Sequence, residues 1–221
     1  MLTATAQFFQ TGGPMMWVIL AVLATALGII LERLYFFHFK GLMNSDELAA
    51  QTAKRIVADD FQAALDNLDE NGGPTRRLMR HAVEEAWEGG SASEIRQVVQ
   101  EHALREIPRF GRRLNYLAVL ANVATLAGLL GTIFGLQQSF SSLAEADAAE
   151  KASVLAAGIS QAMNTTALGL MVAMPILLIH SRLTSMATRL TEECDAGLTR
   201  LLNFFSIREK QIQNISNRRA V

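Results

Sequence analysis

Charge is missing from three long stretches of the chain, and its absence there sets the fold class. Residues 1–31, 114–144 and 152–179 contain no Asp, Glu, Lys or Arg, in a chain of 221 residues of which 50% are hydrophobic. Each run exceeds the roughly 20 apolar residues that a helix needs to cross about 30 Å of hydrocarbon. Only a helix satisfies every backbone group inside lipid within one segment, so three spanning helices follow. The competing reading is three buried helices of a soluble bundle, and a chain this short has little left to wrap them. The first run also lacks the basic flank of a signal peptide and is too long for a cleaved apolar core. A single cysteine, Cys194, excludes an internal disulfide. A net charge of −1 excludes the electrostatic footprint of a nucleic-acid binder. No HExxH, CxxC or GxSxG motif is present, nor a glycine-rich phosphate loop or a tandem repeat. The four histidines (His38, His81, His102 and His180) are expected to stand isolated near or beyond the membrane boundaries, which leaves no enzymatic constellation and no metal site.

What charge there is lies asymmetrically. No Lys or Arg precedes the first run, and the link between the second and third holds only Lys151 against Glu145, Asp147 and Glu150. Arg76, Arg77, Arg80, Arg112 and Arg113 crowd the long loop, and Arg182, Arg189, Arg200, Arg208, Lys210, Arg218 and Arg219 follow the third run. The positive-inside bias therefore puts the N-terminus outside and both the loop and the C-terminal tail in the cytoplasm. The resulting division is an outer segment 1–14, a first span 15–37, a cytoplasmic helical loop 38–113, a second span 114–140, a short outer link 141–152, a third span 153–180 and a cytoplasmic C-terminal helix 181–221. Phe8 and Phe9 are placed on the outer surface, Trp17 at the outer interface, and Tyr35, Phe36, Phe37 and Phe39 at the inner one. Glu32 and Arg33, where the first span leaves the hydrocarbon, are expected to be solvated or paired at the rim.

The loop carries helical punctuation. Asn44 with Glu47 fits a capping box, and Ser91 with Glu94 fits another. "DDFQAALDNL" reads as a short amphipathic piece, closed by the break "NGGP" at Asn71–Pro74. From Ser91 nothing compels a stop until about Phe140, so the pattern predicts one helix, bent at Pro108, running from the cytoplasm into the second span. At about 1.5 Å per residue such a helix would be near 70 Å long and would project well beyond the bilayer. Pro175 supplies a second kink, in the third span. Beyond that span Leu183, Ala187, Leu190, Cys194, Leu198, Leu201 and Phe205 recur every three or four residues, the stripe of a helix packing on helices in a cytoplasmic collar. The fold class expected is all-α and membrane-embedded, with the second and third spans extended as a cytoplasmic helical bundle.

The polar content of the spans points to function. Gly128, Gly131 and Gly135 in the second span, and Gly158, Ala162, Thr166, Gly169 and Ala173 in the third, form small-residue stripes that let helices approach closely in lipid. Thr125, Thr132 and Ser139 recur every seven residues along one side of the second span. Gln161, Asn164 and Thr165 project on or near the stripe of the third. Each hydroxyl could simply bond its own backbone one turn back. A side-chain amide facing lipid is costly, however, so Gln161 should face protein or a water-filled passage. Two polar faces on consecutive spans suggest that several subunits line a common lumen. No Asp, Glu, Lys, Arg or His lies in the cores of these two spans, so any protonatable group at mid-membrane must come from a partner.

With "GGPMMWVILAVLATALGIILERL", "LAGLLGTIFGLQQSF" and "GISQAMNTTALGLMVAMPILLIH" in this order, the chain resembles the MotA/TolQ/ExbB proton-channel family, most closely its ExbB-like branch. The resemblance implies a homo-pentamer in the bacterial inner membrane, its N-terminus periplasmic, surrounding the single spans of two copies of an ExbD/TolR/MotB-like partner. That partner carries the mid-membrane Asp missing here, and ion flow turns the pentamer about it. In ExbB-like members the work passes through a TonB-like protein to outer-membrane uptake; TolQ-like members serve envelope integrity, and other relatives act as motility stators. By position, Thr132 and Thr166 would be the pore hydroxyls facing the partner Asp, joined by Thr165, Gln161 and Asn164. Gln161 stands where many ExbB and TolQ proteins have Glu, which argues against a relay through this subunit's own carboxylate. Thr165 stands where a small apolar residue is common, and added hydroxyls favour a hard cation. Protons are the coupling ion expected, with sodium second. A structural scaffold, its polar faces merely joining helices, is the reading from a different class.

Overall fold

The computed structural model describes residues 13–40, 45–69, 72–145, 147 and 149–219. Eight helices and no strand occur among the described residues: α1 Met15–Lys40, α2 Ser45–Val57, α3 Phe61–Asp66, α4 Pro74–Trp87, α5 Ala92–Glu106, α6 Pro108–Gly111, α7 Leu114–Glu145 and α8 Lys151–Arg219. Three stretches, Met15–Phe37, Ala92–Ala144 and Lys151–Ile215, are long and apolar enough to cross a membrane. The protein is thus all-α with three apolar helices. Two compact units divide it: one takes in α1 as far as Arg33 together with Arg113–Leu183, the other Leu34–Arg112 and α8 from Thr184 onward. The readings placed on Phe8, Phe9, Asn44 and Asn71, and on the side chains of His38 and Phe39, lie outside what is described.

In the apolar unit, α1 begins directly after Gly13 and Pro14, with Gly13 at φ 73° and its carbonyl accepting from Met16 N at 3.3 Å. Met16, Ile19, Val22, Ala26 and Ile30 are its buried face. Trp17 is exposed, as are Leu20, Leu27 and Leu31, the surface that hydrocarbon accepts without penalty. Near the C-terminal end of the apolar part of α1, Glu32 bonds Arg33 at 3.1 Å and Arg113 at 2.5 Å, so the first span is tied to the foot of α7. α7 and α8 then run antiparallel, with Gly128 against Thr166 and Gly169, Gly135 against Ala162, and Ser139 against Gly158. α8 continues through Pro175 without interruption, although that residue has no N–H for the carbonyl one turn back.

The second unit is a helical bundle in which α2–α5 pack with the end of α8. Ala187, Cys194, Leu198, Leu201 and Phe205 of the predicted stripe are buried and Leu190 is half-buried. Gly197 lets α8 approach closely: a methyl group there would fall 2.9 Å from both Met79 Cε and the Ser45 carbonyl oxygen. Local chemistry starts α3, α4 and α5. Asp60 caps α3 by accepting from Ala63 N at 3.0 Å, and Pro74 opens α4 after Gly73 at φ 96°. At α5 both arms of the capping box close, Ser91 Oγ accepting from Glu94 N at 3.3 Å and Glu94 Oε2 from Ser91 N at 2.7 Å. These bonds hold the Glu94 carboxyl below its ordinary value. The same helix start is met by α8, whose Glu209 accepts from Ala92 N at 3.2 Å.

Two expectations are corrected. The long helix from Ser91 to Phe140 is three helices: α5 ends at Glu106, α6 starts on Pro108 after Ile107, which keeps helical geometry (φ −60°, ψ −43°), and at Arg112 (φ −55°, ψ 133°) and Arg113 (φ 65°) the chain leaves helical geometry before α7 begins. Pro108 divides α5 from α6 without the chain leaving helical geometry, and the larger break lies at two arginines with no helix-breaking chemistry of their own. An extended residue followed by a left-handed one cannot propagate i→i−4 bonds, so the second span is not a continuation of α5. Nor are His81 and His102 isolated. His81 of α4 and His102 of α5 stack with ring centroids 3.8 Å apart and planes at 16°, and His81 Nδ1 lies 3.2 Å from Glu84 Oε2. One turn along the same antiparallel seam, Arg77 pairs with Glu106 at 2.6 Å.

Candidate ion-conducting face

The seam between α7 and α8 is made of residues small enough for backbones to touch. A methyl group on Gly128 would fall 3.3 Å from Thr166 Cα, one on Gly135 3.1 Å from Ala162 N, and one on Gly169 2.7 Å from the Ala124 carbonyl oxygen. At Gly158 it would fall 1.3 Å from Ser139 Oγ, and at Gly131 2.2 Å from Thr165 Cγ2. Packing, not hydrophobicity, holds helices together in lipid, and these five glycines supply it.

The hydroxyls divide by what they touch. Thr125 donates to the Ala121 carbonyl at 3.2 Å, Thr132 to Leu129 at 2.6 Å, Ser139 to Gly135 at 3.1 Å and Thr165 to Gln161 at 2.9 Å. All are bonds within a helix, the plain alternative that each hydroxyl carried from the outset. Thr166 differs: it donates across the seam to the Gly128 carbonyl at 3.0 Å. Thr165 is completely buried beneath Gly131.

The predicted site residues do not share one side of the helix pair. On α7, Gly128 lies toward the Thr125–Thr132 side of the seam and Gly131 toward the other, by helical phase. Gly128 meets Thr166, whereas Gly131 meets Thr165. Thr125, Thr132 and Thr166 are therefore on one flank, all half-buried. Gln161, one turn before Thr165, is on the opposite flank with Asn164. Its Nε2 lies beside Gly13, where an added methyl group would come within 2.5 Å. The sequence could not distinguish the flanks, because both are polar and only the register of the seam separates them.

One polar residue on the threonine flank went unmarked by motif. Asn122 is exposed on α7, where the surrounding exposed side chains are apolar. Between Leu114 and Ala144 no described residue of α7 titrates near neutral pH, so this face offers hydroxyl and amide oxygens without a charge. It can hydrate an ion or face another group's carboxylate. It cannot store a proton.

Comparison with known proteins follows this geometry. Residues 70–196 match the model of the MotA/TolQ/ExbB proton channel family. The chain is similar to the ExbB-like 3 biopolymer transport protein of Synechocystis, 31% identical over 166 residues that cover 74% of this chain and 77% of the relative. It is similar also to the biopolymer transport protein ExbB of Salmonella typhimurium, 27% identical over 179 residues covering 76% and 70%. The Tol-Pal system protein TolQ of Haemophilus influenzae is 37% identical over a shorter stretch of 79 residues, 36% of this chain and 34% of that one. The matched residues include both α7 and the threonine-bearing part of α8, and the chain, a multi-pass membrane protein, belongs to the MotA/TolQ/ExbB proton channel family.

Proposed function

We propose that this protein is the ion-conducting subunit of an inner-membrane motor that uses the proton motive force to energise TonB-dependent outer-membrane uptake. The observation that carries the reading is the threonine flank: Thr125, Thr132 and Thr166 on one side of a glycine-packed helix pair, in spans whose cores carry no Asp, Glu, Lys, Arg or His. Copies of the pair arranged around a partner's span would present hydroxyl oxygens to a carboxylate supplied by that partner. The five-subunit ring, the ExbD/TolR-like partner dimer and the TonB-like protein enter on the family resemblance, as does a periplasmic N-terminus with a cytoplasmic C-terminus. The basic residues of the loop and tail support that orientation. A proton is the ion assigned, and the hydroxyls would hydrate it on its way to and from the partner carboxylate.

Thr132→Val and Thr166→Val test the reading in cells that depend on TonB-type uptake. Loss of energy-dependent uptake with an unchanged native mass of the complex supports it. Retained uptake in both variants would make the flank a helix-packing device and leave a structural scaffold. Flux that follows a sodium gradient and ignores a proton gradient would overturn the ion assignment. The stretch shared with TolQ supports a second reading, a role in envelope integrity. Deletion would then cause outer-membrane leakage and leave TonB-type uptake intact.

A further inference from the structure

Asn122 is the one polar side chain among the described residues that α7 leaves exposed between Leu117 and Leu136. No described residue hydrogen-bonds its amide. It precedes Thr125 by three residues, so helical phase sets it about 60° round the helix from Thr125, on the same side of the seam but further from it and beside the exposed Leu126 and Leu129, about 15 Å along the axis from Thr132 and toward the Leu114 end. The three threonine hydroxyls on that flank each donate to a backbone carbonyl, which leaves only their oxygens as acceptors. The Asn122 amide has two N–H donors and a carbonyl acceptor, all uncommitted. In hydrocarbon such a group has nothing to bond, and its position on an otherwise apolar exposed surface requires water or a polar partner there.

We infer that Asn122 is a further residue of the ion path, carrying its polar lining from Thr132 and Thr125 toward the Leu114 end of α7 and holding water or a hydrated cation through its amide. The inference rests on the conducting role proposed above. A carbonyl oxygen suits a hard cation, and the paired donors orient the water that surrounds it. Packing against a second copy of the chain and exposure to lipid are the two other environments open to an exposed amide, and both would leave it shielded from water.

Thiol accessibility in the assembled complex separates them. Cys194 is buried, so a cysteine introduced at 122, 126 or 132 supplies the reactive thiol of this chain. The full-length chain, co-expressed with its single-span partner in native membranes, is treated with a charged, membrane-impermeant methanethiosulfonate. Asn122→Cys should react at a rate close to Thr132→Cys and at least about tenfold faster than Leu126→Cys, because the reactive thiolate forms only in water. In parallel, Asn122→Leu should lower ion flux about fivefold or more at unchanged native mass, and Asn122→Ser should restore part of it. Slow labelling at 122 with fast labelling at 132, or undiminished flux in Asn122→Leu, overturns the inference and leaves the conducting role standing. Slow labelling at both 122 and 132 overturns the conducting role and this inference with it.

Discussion

Thr166 and Gly158 show what single residues contribute. The Thr166 hydroxyl joins α8 to α7 through the Gly128 carbonyl at 3.0 Å, so removing it touches both packing and polarity. Thr166→Ser keeps the oxygen and should conduct nearly as the parent does. Thr166→Val loses the donor, leaves the Gly128 carbonyl with one partner fewer, and should lower stability by about 1 kcal/mol while abolishing flux. Thermal unfolding in detergent and flux in vesicles check the two parts separately. Gly158 is a steric case: its would-be Cβ falls 1.3 Å from Ser139 Oγ. Gly158→Val should destabilise the helix pair by roughly 1–3 kcal/mol, and Ser139→Gly in the same chain should recover part of the loss. The glycines and threonines were legible from their spacing. Their division between two flanks was not, because Thr165 and Thr166 are adjacent in sequence and only contact with Gly131 or Gly128 tells them apart.

Helix boundaries were legible where a side chain does the capping. Ser91 with Glu94 and Pro74 after Gly73 start α5 and α4 by chemistry visible in the letters. The break at Arg112 and Arg113 was not, since nothing in two consecutive arginines disfavours a helix and the left-handed φ of 65° at Arg113 is visible only in the fold. The stacked His81 and His102 were missed for a related reason: residues so far apart meet only once the α4–α5 register is set. In that hairpin Arg77 and Glu106 are mostly shielded from solvent, so Glu106→Ala would leave a guanidinium without its carboxylate. A loss of about 3 kcal/mol is expected, measured by chemical unfolding of the full chain. Burial pushes the Cys194 thiol up to about 11 from an ordinary 9.0, against the opposing hydrogen bond from Thr75. A raised thiol value means the unfolded chain loses its proton first as pH rises. The contribution is therefore whole below about pH 9 and is lost toward pH 11, on the order of 2 kcal/mol in total. Thermal unfolding across that range should fall more steeply in the parent than in Cys194→Ala.

For the whole molecule, composition alone was strongly informative. Three charge-free runs correspond to the three apolar helices, and the clustering of Arg and Lys in the loop and tail supports the proposed orientation under the positive-inside rule. A reporter fused after the last residue should be active only in the cytoplasm, and periplasmic activity would reverse the topology. A single chain does not carry the stoichiometry of its assembly in its own letters, because an apolar surface that would meet another copy reads the same as a lipid-facing one. Flux through the purified complex tests the conducting role most directly. The chain and its single-span partner are reconstituted in vesicles, and decay of an imposed pH gradient is followed for the parent, Thr132→Val and Thr166→Val at matched native mass. Rapid decay in the parent and none above background in the two variants is the result predicted. Equal decay in all three, or no decay in the parent, would contradict an ion path along the threonine flank.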